Sequence, residues 1–380
     1  MSVTDDPRTT LVGLLTTTIQ VGASDLHLRV DSPPQIRLHG QMTPLEGFQP
    51  LTTDEAKQLA YSFLTEKQRE AFESKLELDF SIGLDGLSRF RVNIFNQKET
   101  VGAVFRAIPY EIKSFDELGL PPVISELCRK PRGLVLVTGP TGSGKSTTLA
   151  TMIDLINRTR HQHIITIEDP IEFLHTHKNC VVSQRELGLD TSSFADALRS
   201  GLRQDPDIVL VGEMRDLETI ELALRVAETG HLTLATLHTN TAASTITRVI
   251  DVFPASQQPQ IRTQLSNVLE GILCQSLLPK ATGDGRVMAM EILIPNSAVR
   301  NVIREDKIHQ IYSLMQTGSD KFGMQTLNQS LAALYRKRSI TLETALSISS
   351  NVEELKELCG RRDASGGFTS NESFAYGRTV

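Results

Sequence analysis

The 380-residue sequence predicts an α/β protein with a mainly parallel sheet, preceded by an α+β domain and followed by a helical region. Three observations support this fold class. Short runs of alternating hydrophobicity come first, as in antiparallel sheets. Compact apolar runs rich in β-branched residues follow, separated by helical stretches, as in parallel sheets buried on both faces. Helical periodicity dominates the last part of the chain. The length is typical of two domains.

The first 110 residues are predicted to form the α+β domain. Helical spacing of leucines indicates a helix over 11–21, and a Thr-Asp cap signal opens a helical stretch over 53–74. Short alternating segments predict the strands, at 26–30, 35–40, 78–84, 90–94 and 101–108.

A linker is predicted at 111–120, and the parallel-sheet domain at 121–295. Its buried strands are indicated by apolar runs at 134–138, 164–167, 208–211 and 232–236. Residues 296–360 are predicted to be mostly helical. The tail 361–380 is rich in Gly and Ser without an apolar period, which predicts disorder.

Within the helical region, the segment NSAVRNVIRED spans residues 296–306. Ala298, Val299, Val302 and Ile303 fall at helical spacing, with arginines on another face. The simplest interpretation is a short surface helix packed on a core.

Composition excludes several classes of protein. The chain has 39 Lys+Arg against 45 Asp+Glu, which argues against a general nucleic-acid binder. Its four cysteines lack CxxC spacing, which disfavours a zinc site or a disulfide framework and suits a reducing cytosol. With no apolar stretch of about 20 residues and no signal sequence at the N-terminus, we expect a cytoplasmic protein that reaches a membrane only through a partner, without direct insertion.

The strongest local pattern is GPTGSGKSTT, which matches the phosphate-binding loop G-x-x-x-x-G-K-[ST] between an apolar strand and a predicted helix. Its glycines let backbone N–H groups close on a β-phosphate at a helix N-terminus. Lys145 is expected to reach the β- and γ-phosphates, and Ser146 to coordinate Mg²⁺. The alternative, a glycine-rich turn, leaves the flanking elements unexplained. ATP or GTP binding is predicted for Gly139, Pro140, Thr141, Gly142, Ser143, Gly144, Lys145, Ser146 and Thr147.

The segment PDIVLVGEMRD carries a second candidate. A P-loop fold needs an acidic group at the end of such an apolar strand, where Asp is usual. Here Gly212 takes that place and Glu213 follows. Glu213 is expected to orient or deprotonate the attacking water, a role that contributes about 10²–10⁴-fold. The alternative is a surface glutamate, although this loop lies on the same strand edge as the phosphates.

Glu168 and Asp169 end another apolar strand in IITIEDPIE, where Pro170 stops the strand. Two carboxylates at this edge could hold the water shell of a metal ion or the nucleophile. They could instead cap the following turn.

His231 and His238 bracket an apolar strand in TGHLTLATLHTNTA. Seven residues apart across a strand, they do not form one metal pair. A histidine at a strand end is more often structural, but the neighbouring phosphate-edge motifs favour sensing of the γ-phosphate by one or both.

Three arginines, Arg89, Arg91 and Arg106, lie on otherwise apolar strands of the first domain. Such arginines are usually just solvated. Alternatively, one or more could reach a nucleotide across an interface, as arginine fingers do.

Together these motifs resemble the Walker A, Asp-box, Walker B and His-box motifs of the bacterial secretion ATPase superfamily, and SDLHL (24–28) and RFRVNIFNQ (89–97) resemble its N-terminal PAS-like domain. The resemblance covers roughly residues 20–355. AVRNVIRE (298–305) is similar to the AIRNLIRE-type helix of the branch that retracts type IV pili. The stretch LPKATGDGRVM (278–288) lacks the four-cysteine insert of assembly-type relatives, which also favours the retraction branch.

The resemblance implies a RecA-like P-loop ATPase domain after the PAS-like domain, with ATP and Mg²⁺ as ligands. It implies a ring-shaped homohexamer whose active sites lie between the P-loop domain of one subunit and the PAS-like domain of a neighbour. The catalytic residues it implies are Glu213, Glu168, Asp169, His231, His238, Arg91 and Arg106.

The implied function is a motor that powers pilus retraction and twitching motility. Its implied partners are an inner-membrane platform protein at the cytoplasmic face and a paralogous retraction ATPase. The helix at 298–305 would then serve the retraction stroke.

Three alternatives stay open: an accessory retraction ATPase or another motor of the superfamily, a DNA-translocating ring, and a nucleotide-bound scaffold without turnover. The acidic charge balance disfavours DNA. The complete P-loop and Glu213 disfavour the scaffold.

Overall fold

A computed structural model describes residues 6–38, 40–84, 86–108 and 112–360. The predicted tail at 361–380 lies outside these residues, as does the start of the predicted linker at 111. The described residues belong to two compact units that interleave along the chain. The first unit is Met1–Glu117 with Leu149–Gly212, and the second is Leu118–Thr148 with Glu213–Val380. The domain boundaries proposed from the sequence stay a prediction.

The described strands, in chain order, are β1 (Asp25–Leu28), β2 (Gln35–Leu38), β3 (Gln41–Pro44), β4 (Glu77–Leu84), β5 (Ser88–Gln97), β6 (Thr100–Ile108), β7 (Gly133–Thr138), β8 (His163–Glu168), β9 (Val181–Glu186), β10 (Ile208–Val211), β11 (Leu232–Leu237), β12 (Leu269–Pro279) and β13 (Arg286–Leu293).

The described helices are α1 (Pro7–Gln20), α2 (Thr53–Tyr61), α3 (Glu66–Lys75), α4 (Phe115–Leu118), α5 (Pro122–Cys128), α6 (Lys145–Thr159), α7 (Phe194–Gly201), α8 (Leu217–Glu228), α9 (Ala242–Asp251), α10 (Gln258–Val268), α11 (Ser297–Arg304), α12 (Ile311–Thr317), α13 (Ser319–Phe322), α14 (Leu327–Arg336), α15 (Leu342–Ile348) and α16 (Val352–Gly360), with a 3₁₀ turn at Ile308–Gln310.

The first unit contains a six-stranded antiparallel sheet in the order β3-β2-β1-β6-β5-β4. Its apolar side chains and those of the N-terminal helices form one buried cluster, which includes Leu11, Phe72, Phe90 and Phe105. This arrangement is compatible with the α+β prediction for the region. The same unit also holds three parallel strands, with β8 between β10 and β9.

The helical stretch predicted over 53–74 is present and is divided into two helices. The first ends at Tyr61, and the second begins after Thr65. The Thr65 side chain accepts the Gln68 backbone N–H, and the Gln68 side chain accepts the Thr65 backbone N–H. This capping box begins a new helix and overrides the continuous polar periodicity.

The second unit contains four paired strands in the order β13-β12-β7-β11. Strands β11 and β12 run parallel to β7 on its two sides, and β13 pairs antiparallel with β12. All six residues of β7 and of β11 are buried, as predicted for parallel strands covered on both faces. Strands β9, β12 and β13 were not predicted from the sequence.

The end of the second unit is helical, as predicted. In α11, the Asn296 side chain accepts the Val299 backbone N–H as an N-cap, and Val299, Val302 and Ile303 are buried. The predicted apolar face is therefore confirmed for these three residues, whereas Ala298 is exposed. Among the described helices, none combines the length and the apolar character needed to cross a membrane.

Candidate active site

The phosphate-binding loop joins β7 to α6 in the second unit, as its sequence pattern predicts. Lys145 Nζ donates to the carbonyl oxygens of Gly139, at 2.9 Å, and Pro140, at 3.1 Å. Ser146 and Thr147 lie in the first turn of α6, and the loop residues Thr141 and Gly142 are exposed. The first-turn N–H groups of a helix have no intrahelical acceptor, so this end of α6 favours an anion.

Glycine is required at position 139, where φ is +140°. A Cβ atom there would lie 2.3 Å from the backbone oxygen of Gln275 in β12, and no side chain fits that distance. Two buried hydroxyls near the loop, Ser143 Oγ and Thr148 Oγ1, have no hydrogen-bond partner among the described residues. The loop thus offers polar groups to a ligand beyond those that the fold itself consumes.

Glu213 and His238 meet in the second unit. His238 Nε2 lies 3.0 Å from Glu213 Oε1, and Arg215 donates to Glu213 Oε2 at 2.7 Å. His238 directly follows Leu237, which is the β11 partner of Thr138, the residue that precedes the phosphate loop. Parallel pairing therefore brings the end of β11, and with it His238, beside the start of the loop.

The environment of Glu213 favours its charged form. Partial burial raises the pKa of this carboxyl, but the hydrogen bonds and charges of Arg215 and His238 outweigh burial, so the pKa falls below its usual value. The side chain is 19 % exposed. A half-buried, ionised carboxylate beside a phosphate loop is suited to accept a hydrogen bond from water.

The glycine in the expected place of an aspartate has a steric reason. A Cβ atom at Gly212 would lie 3.0 Å from the Ile167 oxygen and 3.2 Å from Glu168 Cα, and the Gly212 N–H donates to that same oxygen at 2.7 Å. The backbone at the end of β8 would crowd any Cβ atom here, so glycine suits this position. The acidic group is supplied one residue later, by Glu213.

Glu168 and Asp169 lie at the carboxyl end of β8 in the first unit. Glu168 Oε1 accepts hydrogen bonds from Thr166 Oγ1, at 2.6 Å, and from Gln184 Nε2, at 3.2 Å. Burial is the largest effect on this carboxyl and raises its pKa. Asp169 is exposed, and the peptide bond between it and Pro170 is cis.

His231 is not brought to the same place as His238. It precedes β11, where its Nδ1 lies 3.0 Å from the Val226 carbonyl and 3.2 Å from Thr229 Oγ1. The six residues of β11 separate the two histidines, which is about 20 Å of extended chain. The prediction that one or both sense the γ-phosphate therefore finds geometric support within this chain for His238 alone.

The three candidate arginines have different surroundings within the first unit. Arg89 donates to Glu186 at 2.6 Å and to Ser81 at 2.5 Å. Arg106 is 66 % exposed at its side chain and donates to Asp25, and Arg91 is 45 % exposed. Arg91 and Arg106 are cross-strand partners in β5 and β6. Arg89 is thus occupied by a buried partner, whereas Arg91 and Arg106 lie side by side at the surface.

Three residues with clear roles in these arrangements escaped the sequence interpretation. Glu186 is buried and accepts from Ser81, Arg89 and the Ile171 N–H that follows the Asp-box strand. Gln184 donates to Glu168, and Gln275 lies against the phosphate loop. A pair of polar residues inside an otherwise apolar run, Gln275 and Ser276 in GILCQSLLP, was the available signal for Gln275. Among the described residues, no group of three or more His, Cys, Asp or Glu side chains forms a metal cluster.

Comparison with known proteins gives one family and several relatives. The model of the family described as type II/IV secretion system protein matches residues 8–351. The Type IV pilus retractation ATPase PilT of Pseudomonas aeruginosa is 53% identical over 332 residues, 87% of this chain and 96% of that protein. A twitching motility protein of Neisseria gonorrhoeae is 49% identical, covering 90% and 91%. The Type IV pilus ATPase PilU of P. aeruginosa is 40% identical, covering 90% and 89%.

One solved structure is similar across nearly the whole chain. It is the crystal structure of the pilus retraction motor PilT with bound ADP, with a TM-score of 0.86 and 53% identity, covering 91% of this chain and 98% of that one. The predicted superfamily and α/β fold are thereby confirmed.

Proposed function

Because the chain belongs to the type II/IV secretion system protein family, we propose that it is an ATP-hydrolysing motor that powers type IV pilus retraction. The observation that carries the proposal is the 53% identity to PilT across 96% of that protein. PilU, at 40%, is the more distant of the two pseudomonad relatives. The complete phosphate loop and the Glu213–His238 pair support turnover rather than nucleotide binding alone.

In the proposed reaction, the loop and the N-terminus of α6 bind the ATP phosphates, and Lys145 neutralises their charge. Glu213 orients the attacking water and accepts its proton. Its low pKa keeps it ionised in neutral solution. His238 holds Glu213 and is close enough to the loop to respond to the γ-phosphate.

Mg²⁺ fits the residues that are present. Ser146 offers a hydroxyl oxygen in the first turn of α6. Bound with ATP, the ion supplies charge neutralisation on the phosphates. Glu168 and Asp169 are proposed to hold its water shell.

We further propose a homohexamer in which Arg91 or Arg106 approaches the nucleotide of a neighbouring subunit. Their exposure supports this role, whereas Arg89 is held by Glu186. The ring would work at the cytoplasmic face of the inner membrane, against a platform protein of the pilus machine, and a paralogous retraction ATPase could share the task.

An accessory role of the PilU kind is the second candidate, because the chain also aligns with PilU over 89% of that protein. Genetics separates the two. Deletion of a principal retraction motor should leave cells with surface pili that do not twitch. Deletion of an accessory motor should leave retraction that is weakened but present.

The motor proposal is tested by Lys145→Ala. We expect phosphate release by the purified protein to fall to background, because the lysine that neutralises the phosphates is gone. The melting temperature without nucleotide should stay near that of the wild type, since Lys145 is only half-buried. Wild-type phosphate release by this variant would contradict the proposal, and so would DNA-dependent turnover by the wild-type protein.

A further inference from the structure

A buried glutamine on β12 lies beneath the phosphate loop. Gln275 is 1% exposed. Cys274 pairs with Thr138 in the parallel ladder between β12 and β7, so Gln275 falls beside Gly139, the first residue of the loop. The position of this glutamine is therefore fixed by the sheet, not by the loop.

Gln275 contacts both ends of the loop. Its side-chain Nε2 donates to the Ser143 carbonyl at 2.9 Å, and the same nitrogen would lie 3.4 Å from a Cβ atom at Gly144. Its backbone oxygen would lie 2.3 Å from a Cβ atom at Gly139. Two glycines of the loop pattern are thus packed against this one residue.

The hydrogen bond to Ser143 fixes a peptide plane. Among the described residues the only cis peptide bond is Asp169–Pro170, so the bond between Ser143 and Gly144 is trans. In a planar trans peptide the C=O and the following N–H point in opposite directions. With the Ser143 carbonyl drawn toward Gln275, the Gly144 N–H points away from β12.

Packing in the core does not by itself account for a glutamine side chain at this position. Gln275 Oε1 is buried without a hydrogen-bond partner among the described residues. A buried acceptor without a partner is unfavourable, and an apolar residue of the same shape would avoid that cost. The donated bond to the loop is the interaction that an apolar replacement could not make.

We propose that Gln275 is a positioning residue for phosphate binding: it holds the Ser143 carbonyl so that the Gly144 N–H is directed at the phosphates of the bound nucleotide. This inference rests on the proposed nucleotide-dependent function. It concerns a residue outside the loop pattern, which does not itself touch the ligand.

The first test is ADP affinity, measured by isothermal titration calorimetry with Mg²⁺ for the full-length protein. Gln275→Met keeps the length of the side chain and removes the donor. We expect its Kd for ADP to rise about tenfold, the effect of losing one buried hydrogen bond. The matched control is Gln325→Met, because Gln325 Nε2 donates to the Met290 carbonyl at 2.7 Å in the same unit. This control should bind ADP like the wild type.

A second variant tests the hydrogen bond itself. In Gln275→Glu, the buried carboxyl has a raised pKa, and its protonated form can still donate to the Ser143 carbonyl. Its ionised form cannot. The affinity of this variant relative to wild type should therefore fall as pH rises, from near wild type toward that of Gln275→Met. Melting temperatures measured over the same pH range separate a loss of binding in the folded protein from unfolding by the ionised carboxylate. Loss of ADP affinity only in step with unfolding would overturn the positioning role, and this arm remains informative if Gln275→Met folds poorly.

The outcomes are distinguishable. If the wild type binds ADP and Gln275→Met binds it equally well, the positioning role is wrong and the proposed function stands. Equal losses in Gln275→Met and Gln325→Met would also overturn the positioning role. If the wild type binds no ADP, the proposed function fails and this inference fails with it.

Discussion

Two carboxylates come at the ends of apolar strands in the sequence, yet their surroundings differ. Glu213 is paired with Arg215 and His238, and these partners lower its pKa in spite of partial burial. Glu168 has the neutral partners Thr166 and Gln184, and burial raises its pKa. The surroundings of Glu213 stabilise its anionic form, whereas those of Glu168 disfavour its anionic form.

This difference in pKa distinguishes two catalytic roles that the sequence alone did not assign to one carboxylate or the other. A base that accepts a proton from water must be ionised at the working pH, which favours Glu213. Desolvation destabilises the ionised form of a buried carboxylate. Such a group gains most when a cation approaches it, since the opposite charge offsets the desolvation. Glu168 therefore fits the water shell of Mg²⁺ better than the role of the base.

The largest effect expected from this comparison is on turnover by Glu213→Gln. The variant keeps the shape of the side chain and removes the base, so kcat should fall at least about a hundredfold. The Kd for ADP should stay near that of the wild type. Phosphate release and calorimetry measure the two quantities. Glu221→Gln is the control, because Glu221 is an exposed acid on α8 that pairs with Arg225.

The assignment would be reversed if Glu168→Gln alone carried such a loss of kcat while Glu213→Gln turned over normally. Loss of ADP binding in Glu213→Gln would show instead that the group supports the ground state of the complex rather than the attacking water.

A smaller effect, of opposite sign for the two groups, is expected on stability. The folded pKa of Glu168 is raised, so its contribution to stability falls as pH rises above 4.5, the ordinary value, toward the folded pKa. Glu168→Gln should then melt above wild type at pH 8. The two proteins should converge at low pH.

For Glu213 the sign is reversed. Its folded pKa is lowered, so its stabilising contribution is complete above the ordinary value of 4.5 and is lost as pH falls through the folded pKa. Glu213→Gln should melt below wild type at pH 8, with a difference that shrinks in acid. Melting curves of both variants from pH 4 to pH 8 measure the pair. Shifts of the same sign would show that the contrast between the two sites is not electrostatic.

The parts of this molecule that could be predicted from sequence are those with local signals. The phosphate loop depends on glycines at fixed spacing, and strands β7, β8, β10 and β11 on compact apolar runs. The capping box at Thr65 and Gln68 was also a local signal, and it was overlooked.

What could not be predicted depends on pairing between distant segments. The contact of Gln275 with the loop follows from the register of β12 on β7, across more than a hundred residues. The hydrogen bond from Arg89 to Glu186 joins residues 97 apart in the chain. Neither Gln275 nor Glu186 lies in a recognisable sequence pattern. Residue type alone therefore did not distinguish Arg89 from Arg91 and Arg106.

Substitutions in α11 are expected to have the smallest effect on turnover, because this helix contains neither of the two carboxylates. From the sequence we expect Arg300, Arg304 and Glu305 to make polar contacts that change between states or meet a partner, and this stays a prediction. In the structure the Arg300 guanidinium donates to the carbonyl oxygens of Ser266 and Asn267 and to Glu270. Arg300→Ala should therefore lower the melting temperature. Arg304 and Glu305 are exposed, and Glu305 accepts hydrogen bonds from its near neighbours Asn301 and Lys307.

Glu305→Ala consequently isolates a surface function from folding and chemistry. We expect its phosphate release, melting temperature and assembly to match the wild type, because an exposed ion pair contributes little to stability. In a piliated host the variant should display pili but fail to twitch. Glu353→Ala is the control, because Glu353 is an exposed acid on α16 that pairs with Lys356. If Glu305→Ala cells twitch like Glu353→Ala cells, this end of α11 is ordinary surface. If the purified Glu305→Ala protein loses turnover, the helix belongs to the chemistry after all, and the two carboxylates do not define the site alone.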